Sequence, residues 1–498
     1  MTSHTSALSE EALQEPADFS PVLGGLLFQL AAVTLASIAP LALTWKLLGW
    51  SLIFLGTTFV AVTAFAKVSP EEAARLEADL TPLGAERAGN AAGTIPPWTG
   101  GITEPPPGYE PGDHHPDPYP DDAILFTITA TNVEEHAAHL SEGQKALLLT
   151  YPDTWRMPVY PTRRSASYPP WVYEAAKANA RTAEVIVEGK GGVLHASITS
   201  PFPIPQSGLE VIWNHNLRWR GVHVARTNGV AAVTRLGNYG VVLAEQEVGI
   251  PYGSPQVTPF KEAYPNVMLA LKSKIIQPEL LAGNGSLIIE PLDQTHDPRK
   301  AWTYSRGLRR VVRAPYAAYD YPVPNTENLQ TIDDLGLFNG APDRFDWTLV
   351  GKQELYIPYN AYRLHSNSLT YSDILRQGHM NPELARYERH RVWVVEGTLK
   401  PGQRHIYSRR TFYVDEDSWQ IVVAESYDHD GQLWRVAEAH MVNYYEVPVL
   451  LSTLEVYHDL KERRYLATGL DNNRNMYRFS EGVDPREFSP NALLYYIR

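Results

Sequence analysis

Histidines beside acidic residues are the first groups in this chain that could carry metal or acid–base chemistry. His114-His115 is flanked by two aspartates, and His136 and His139 fall on one face of a predicted helix. Zinc hydrolases need H-E-x-x-H or an equivalent, with a carboxylate base beside the metal, and neither cluster supplies it. We therefore predict that both clusters are solvated surface, and that the protein has no metal site and no cofactor.

Nucleophilic and nucleotide chemistry find little support either. The chain has no G-x-S-x-G nucleophile elbow, no G-x-x-x-x-G-K-[ST] phosphate loop and no cysteine. The acidic run DED at 415–417 falls in a predicted turn, and DHDG at 428–431 is typical of a hairpin turn rather than a calcium loop. We predict that the protein is not an enzyme. One alternative is an envelope enzyme whose paired carboxylates the sequence does not locate.

Composition excludes further classes. The 498 residues carry a net charge of −13, which is the opposite of the basic footprint of a nucleic-acid-binding protein. Without cysteine there is no disulfide, no zinc–thiolate site and no lipid attached through an N-terminal Cys. Aromatic residues make up 11%, with 39 Pro and 34 Gly, a mixture that favours strands and turns.

Large apolar side chains point most directly to a function. A site for a large hydrophobic ligand is concave and mostly apolar, with few polar anchors. Burial of an acyl chain gains ~0.8 kcal/mol per CH₂, so a chain of ~12 carbons needs no charged contact. The candidates for such a lining, each of which ordinary core packing also explains, are Trp213, Leu217, Trp219, Trp302, Tyr304, Trp393, Tyr407, Phe412, Trp419 and Trp434.

Arginines supply candidate polar anchors. Arg309, Arg310 and Arg313 form a local basic patch in an acidic chain. Because the guanidinium group is a bidentate fork for phosphate or carboxylate, this patch could bind a head group. Pairing with acidic residues on neighbouring strands is the alternative.

A second arginine pair alternates with tryptophans. Arg218 and Arg220 lie beside Trp213 and Trp219, in a region with a β-like pattern. On a strand this alternation places rings and cations on defined faces, and we expect cation–π packing within the sheet.

The N-terminal region determines the predicted compartment. Residues 47–66 are uncharged and end in Ala64-Phe65-Ala66, the small-residue pattern of a cleavage site. We interpret residues 45–66 as a signal peptide cleaved after Ala66. Residues 1–44 hold four acids and no Lys or Arg, which suggests an extension upstream of the true translation start. The alternative is a two-helix membrane hairpin. Export predicts a periplasmic protein without a stable membrane span.

The remaining chain divides into two parts. Residues 67–205 are predicted as a Pro-rich arm, extended over 81–122, with helices at 69–80, 132–149 and 169–183. Ser69 with Glu72 is typical of a capping box at the first of these helices.

Residues 206–498 are predicted as an antiparallel β domain. Four strand-like runs joined by short turns form a meander over 391–444, and a further hairpin follows at 454–472. The fold class is therefore mainly β with α.

Several long motifs resemble one bacterial family. They lie at residues 80–101, 151–166, 201–221, 302–320 and 386–419. Together they resemble domain of unknown function 1329, which is related to periplasmic lipoprotein-sorting proteins of the LolA/LolB type. The resemblance implies a large curved antiparallel half-barrel sheet with helices on its concave side and an apolar cavity for acyl chains. It also implies neighbours among exporters of the resistance–nodulation–division type and an outer-membrane partner.

The sequence thus predicts a periplasmic carrier. It would hold a lipid or other hydrophobic molecule in the half-barrel cavity and serve lipid or lipoprotein sorting to the outer membrane, or an exporter. The alternative is an envelope scaffold that recruits exporter subunits and has no ligand cavity. The absent cysteine makes a soluble carrier the closer model than the lipid-anchored relative.

Overall fold

Strands dominate the part of the chain that the computed structural model describes, residues 68–186, 192–294, 296–315 and 317–497. The predicted extension at 1–44 and the predicted signal peptide at 45–66 lie outside these residues. Within them, no helix is both long and apolar enough to cross a membrane.

Helices are short and mostly precede the main strands. In chain order they are α1 Pro70–Ala74, α2 Val133–His136, α3 Glu142–Thr150, α4 Pro170–Thr182, α5 Gly208–Leu217, α6 Pro259–Ala263, α7 Tyr362–His365, α8 Tyr371–Ile374 and α9 Pro490–Ile497. The capping box that Ser69 and Glu72 predict is present at α1. The prediction for 169–183 is confirmed by α4, whereas the predicted helix at 132–149 is broken into a short helix, a 3₁₀ turn and α3.

The strands follow in chain order. They are β1 Phe126–Ile128, β2 Met157–Val159, β3 Glu184–Val185, β4 Val193–Leu194, β5 His223–Val233, β6 Val241–Gly249, β7 Val267–Gln277, β8 Gly285–Pro291, β9 Lys300–Ser305, β10 Arg310–Arg313, β11 Phe345–Pro358, β12 Tyr387–Leu399, β13 Arg409–Asp415, β14 Ile421–Tyr427, β15 Leu433–Tyr444, β16 Val449–Asp459, β17 Arg464–Thr468 and β18 Arg478–Ser480.

One sheet contains almost all of these strands. Its order is β1-β2-β12-β13-β14-β15-β16-β17-β5-β6-β7-β8-β9-β10, with β11 also on β12 and β18 on β5. Pairing is antiparallel except for a parallel bridge between Tyr387 and Val159. The predicted meander at 391–444 and hairpin at 454–472 are confirmed by β12–β15 and by β16–β17.

The sheet curves around helix α5. This helix packs against β11 and β12, while its Trp213 and Leu217 pack with Met268 and Leu269 of β7. Eight strand spacings separate β12 from β7, about 38 Å in a flat sheet at ~4.8 Å each, whereas ten helical residues span about 15 Å. One helix reaches both strands only because the sheet bends, and this confirms the predicted half-barrel with a helix on its concave side.

Helix α5 also corrects the sequence analysis. The region around Trp213, Arg218 and Arg220 was predicted as strand, but Ser207 caps a helix by accepting from the Glu210 N–H, and Gly208–Leu217 is helical. Neither arginine lies over a tryptophan ring among the cation–π pairs of the described residues. The local pattern misled because nine of the helix's ten residues are buried, so no polar face marks the helical period.

The Pro-rich arm lies on the folded surface. Trp98 packs edge-on to Tyr173 with ring centroids 6.2 Å apart, and Tyr109 packs on Tyr445 at 5.1 Å. The Trp419 indole N–H donates to the Leu83 carbonyl across 2.9 Å. Aromatic contacts and single hydrogen bonds thus replace the ladder that so many prolines prevent.

Candidate functional site

A cavity of about 230 Å³ lies on the side of the sheet that faces α5. Strands β5–β8, β16 and β17 form its walls, together with the residues that follow α5. The segment 326–340, here called the cover segment, contributes Gln330, Leu335, Gly336 and Asn339.

An apolar stripe crosses one wall of this cavity. Val224 on β5 faces Val248 on β6, Val248 faces Leu271 on β7, and Leu271 faces Ile288 on β8. Strand side chains alternate between faces, so aligned registers place these four on one face. Ile250, directly after the end of β6, extends this lining. The wall is therefore suited to an alkyl group.

Three arginines line the same cavity. Arg218 and Arg220 follow the last turn of α5, and Arg226 stands on β5 two residues from Val224. Arg218 donates to the His215 carbonyl, and Arg220 donates to the Asn216 carbonyl across 3.2 Å. The Nε atoms of Arg218 and Arg220 are buried without a hydrogen-bond partner among the described residues, as are those of Arg299 and Arg410, but Arg299 and Arg410 form ion pairs and the cavity arginines do not.

The acidic residues of the lining are engaged elsewhere. Glu290 lies 2.6 Å from Arg299 Nε, outside the arginine trio. Glu455 accepts from the hydroxyls of Ser452 and Tyr457, each at 2.8 Å. Among the described residues, no carboxylate oxygen comes within 4.0 Å of the three cavity guanidinium groups. The three guanidinium groups therefore lack a direct ion pair within the described part of the chain, and the lining acids act on them only from a distance, Glu455 on the pKa of Arg218 and Glu290 on the pKa of Arg220.

The pKa values reflect this arrangement. Burial, aided by Arg220, lowers the pKa of Arg218 well below its ordinary value. Burial and then Arg226 lower the pKa of Arg220 to about 10, so Arg220 stays protonated at neutral pH. For Arg226, burial is outweighed by the hydrogen-bonded Tyr477 hydroxyl and by Glu455, and its pKa is raised.

The cover segment is held by a buried ionic cluster. Asp333 accepts from Arg410 at 3.0 Å and lies 2.9 Å from His405 Nε2, while Asp334 accepts from Arg410 at 2.6 Å. The Tyr457 hydroxyl lies 2.8 Å from both the Asp334 carbonyl and the Glu455 carboxylate and donates its single proton to one of them at a time, and it accepts from the Leu337 N–H at 3.3 Å. Burial alone would raise the pKa of Asp333, but Arg410 and His405 outweigh it and hold that pKa below its usual value.

The ten apolar candidates from the sequence are not gathered in this cavity. Trp213 and Leu217 lie behind its wall, packed with Ile250 and Leu269. The others are distributed as follows: Trp219, Phe412 and Trp419 in the main core, Trp393 against it, Trp302 and Tyr304 in a cluster under α9, and Tyr407 and Trp434 around Arg435.

Sequence reasoning missed most of the lining residues. No sequence motif includes Arg226, Glu290 or Glu455. The sequence analysis assigns Arg218 and Arg220 to cation–π packing. The lining could have been predicted from the alternation within β5–β8. Charged and apolar residues recur there at every second position and therefore share one face of the sheet.

The predicted head-group arginines lie elsewhere. Arg309, Arg310 and Arg313 are exposed on the β9–β10 hairpin, far along the strand order from β16 and β17. Leu308 and Leu280 are also exposed, at 62% and 90%. Arg309 and Leu280 border the same surface depression.

The histidine clusters are not solvated surface, so that prediction is wrong. His115 is 3% exposed, with Nδ1 3.0 Å from His365 Nε2 and Nε2 2.7 Å from Glu446. His136 stacks on the Phe126 ring at 4.8 Å, and His139 Nδ1 lies 2.8 Å from the Glu354 carbonyl. The Pro-rich arm brings its own His115 against His365, a contact between residues 250 positions apart that no local pattern reveals.

A third group has the spacing of metal ligands. Among the described residues, His390, Asp415 and Asp417 are buried with ligand atoms within 4.8 Å of one another. Arg164 donates to both oxygens of Asp417, at 2.6 and 2.9 Å. Asp415 Oδ1 is buried without a partner, and burial followed by Asp417 raises the pKa of Asp415 to about 7. The group could hold a proton or a cation.

An open antiparallel sheet that curves around a helix and leaves a cavity between them defines a half-barrel protein with an internal cavity. The chain belongs to the family described as Protein of unknown function (DUF1329), whose model matches residues 127–494. The resemblance found in the sequence is thereby confirmed. An uncharacterized protein of Pseudomonas aeruginosa is 45% identical over 440 residues, covering 88% of this chain and 96% of the relative.

Three solved structures are similar to part of this chain. A candidate outer-membrane lipoprotein-sorting domain from Vibrio parahaemolyticus has a TM-score of 0.38 at 13% identity, covering 55% of this chain and 91% of its own. A DUF1329 family protein from Desulfovibrio piger gives 0.36 at 14% identity, covering 55% and 92%. A LolA superfamily protein from Nitrosomonas europaea gives 0.35 at 9% identity, covering 58% and 100%.

Proposed function

We propose that the protein is a periplasmic carrier that holds a hydrophobic molecule in the cavity between its curved sheet and the cover segment. The observation that supports this most is the apolar stripe Val224–Val248–Leu271–Ile288, which lines the cavity along four neighbouring strands. Interiors are normally close-packed, so an apolar wall facing a void calls for an occupant.

Cavity size constrains the occupant. Typical small-molecule sites hold about 300–1,000 Å³. The 230 Å³ here corresponds to roughly seven or eight water-sized groups at ~30 Å³ each. A short alkyl chain fits directly. A longer acyl chain needs more room, which an outward movement of the cover segment would provide, because this segment lines the cavity.

The β9–β10 hairpin suits contact with a membrane surface. Arg309, Arg310 and Arg313 are exposed, and the neighbouring Leu308 is exposed as well. Arginines near an anionic lipid surface gain about 1 kcal/mol each, and an exposed leucine enters the interface. These arginines would then bind lipid head groups at the membrane where the cargo is collected or delivered. An exporter of the resistance–nodulation–division type and an outer-membrane acceptor are the partners we propose.

The test of the carrier proposal is direct. Delipidated protein is incubated with octanol and with periplasmic lipid extract, and native mass spectrometry records bound mass. We expect one bound ligand per chain. Leu271→Trp, which fills the centre of the stripe, should abolish uptake, whereas Leu236→Trp, at a site that is 77% exposed, should leave uptake unchanged. Uptake that Leu271→Trp leaves intact would contradict the proposal.

The scaffold alternative predicts a different result. In that case ligand-free protein would capture an exporter subunit and Leu271→Trp would leave this capture unchanged. If ligand uptake is absent and capture is normal, the scaffold replaces the carrier.

A further inference from the structure

Among the described residues, the other buried arginines are all paired with acids. Arg410 sits between Asp333 and Asp334, Arg164 donates to Asp417 through two nitrogens, and Arg299 pairs with Glu290. The chain has 56 acidic and 43 basic residues, so acids are in surplus. The missing partners of Arg218 and Arg220 are therefore not explained by a shortage of carboxylates.

The unpartnered state of these two arginines is costly in the empty protein. A buried charge without a counter-charge is strongly unfavourable, and a neighbouring like charge adds to the cost. Both Nε atoms are buried without acceptors, and Arg218, Arg220 and Arg226 lie near enough for like-charge repulsion. An anion placed among them would supply the missing acceptors and the missing charge.

The same cavity continues into the apolar stripe. Arg226 is paired in register with Gln246, and two positions along these strands Val224 is paired with Val248. Polar and apolar rows are thus adjacent on one wall. An occupant that satisfies both rows has an anionic end and an alkyl end.

We infer that the cargo is an anionic amphiphile, a carboxylate or phosphate on an alkyl chain, whose head is bound by Arg218 and Arg220 while its chain lies on the stripe. This inference rests on the proposed carrier function and narrows its ligand class. Guanidinium groups bind carboxylate and phosphate through charge-assisted, often bidentate hydrogen bonds.

Isothermal titration with four probes tests the inference. Octanoate and octyl phosphate carry both ends, octanol lacks the charge, and inorganic phosphate lacks the chain. Hydrogen bonds to charged groups are strong enough that we expect octanoate and octyl phosphate to bind about 10- to 100-fold more tightly than octanol. Inorganic phosphate should bind more weakly than octyl phosphate.

Arg220→Gln separates a binding role from a structural one. We expect the variant to bind octanoate no more tightly than octanol, and to keep the affinity for octanol. Its melting temperature should stay level or rise, since removal of one charge relieves repulsion in the empty cavity. Arg235→Gln, at an exposed position in the β5–β6 connection, is the matched control and should keep the preference for octanoate.

The outcomes distinguish the two levels of proposal. Equal affinity for octanoate and octanol overturns the anionic-cargo inference and leaves the carrier function standing. Inorganic phosphate binding as tightly as octyl phosphate also overturns it, because the site would then be one for a small anion. A lower melting temperature of Arg220→Gln with unchanged ligand preference assigns Arg220 a structural role. Failure of all four probes to bind contradicts the carrier function itself.

Discussion

Buried charges have different partners in two parts of the sheet. Strands β13–β15 are here called the closed half, and strands β5 and β6 the open half. Strands β13–β15 are buried along nearly their whole length, and their ionisable residues are paired or neutralised. Strands β5 and β6 are half-buried over most of their length and line the cavity. In the closed half Arg410 pairs with two aspartates, whereas in the open half Arg220 has no ion pair among the described residues. The contrast favours the open half as the place of the proposed binding function.

Neutralisation in the closed half takes two forms. Arg410 is neutralised by ion pairs. Glu438 lacks a cation among the described residues and accepts from Gln144 and Tyr387 at 3.0 and 2.9 Å. Burial raises the pKa of Glu438 to about 7. A charged side chain that no ligand reaches must be neutralised by other residues of the protein. A cavity arginine can instead be neutralised by the proposed ligand.

Among the variants that test the difference between the two halves, Arg410→Gln should have the largest effect on the free energy of unfolding. Removal of Arg410 leaves Asp334 without its cation and Asp333 with His405 alone, and loss of one partner of a buried ion pair costs about 3–5 kcal/mol. We expect a loss of this size in the free energy of unfolding, measured by urea denaturation. Arg220→Gln should lose nothing in the same assay. Equal losses for the two variants would contradict the distinction between the halves.

Glu438→Gln tests neutralisation by a proton. The folded-state pKa of about 7 lies above the unfolded value, so the stability that this group contributes is present below about pH 4.5 and lost as pH rises through 7. Gln cannot ionise. We therefore expect the variant to match the wild type at pH 4.5 and to exceed it by up to about 3 kcal/mol at pH 8.

The measurement for Glu438→Gln is thermal unfolding from pH 4.5 to 8. Asp373→Asn provides a control, because Asp373 is half-exposed at a helix start and its pKa is lowered by hydrogen bonds from Thr370. That variant should lose stability above the aspartate pKa instead of gaining it. A Glu438→Gln difference that does not grow with pH would show that Glu438 is charged in the folded protein.

Tyr457→Phe tests how the cover segment is attached to the sheet. Its hydroxyl bonds the Asp334 carbonyl and the Leu337 N–H, and so ties the cover segment to β16. Loss of these bonds should cost about 1–2 kcal/mol. We expect hydrogen exchange to increase within 332–339 and octanol to exchange faster, while β13–β15 keep their protection. Uniform loss of protection would indicate a general packing defect.

Local pattern was sufficient for much of the fold. Alternation and turns predicted the β12–β15 meander, and Ser69 with Glu72 predicted a capping box, because both depend on residues close in sequence. Pattern failed for α5, whose apolar residues surround the helix because it is enclosed by the sheet on several sides.

What the sequence alone determined is the class of fold and the membership of the family, since strand periodicity and long motifs are properties of contiguous residues. Only the tertiary structure decided which side chains surround the cavity. Arg218 follows a helix, Val248 and Ile288 come from separate strands, and Leu335 belongs to the cover segment. The curvature of the sheet brings these residues together. Because they come from distant parts of the chain, no regular spacing in the sequence marks them as a group.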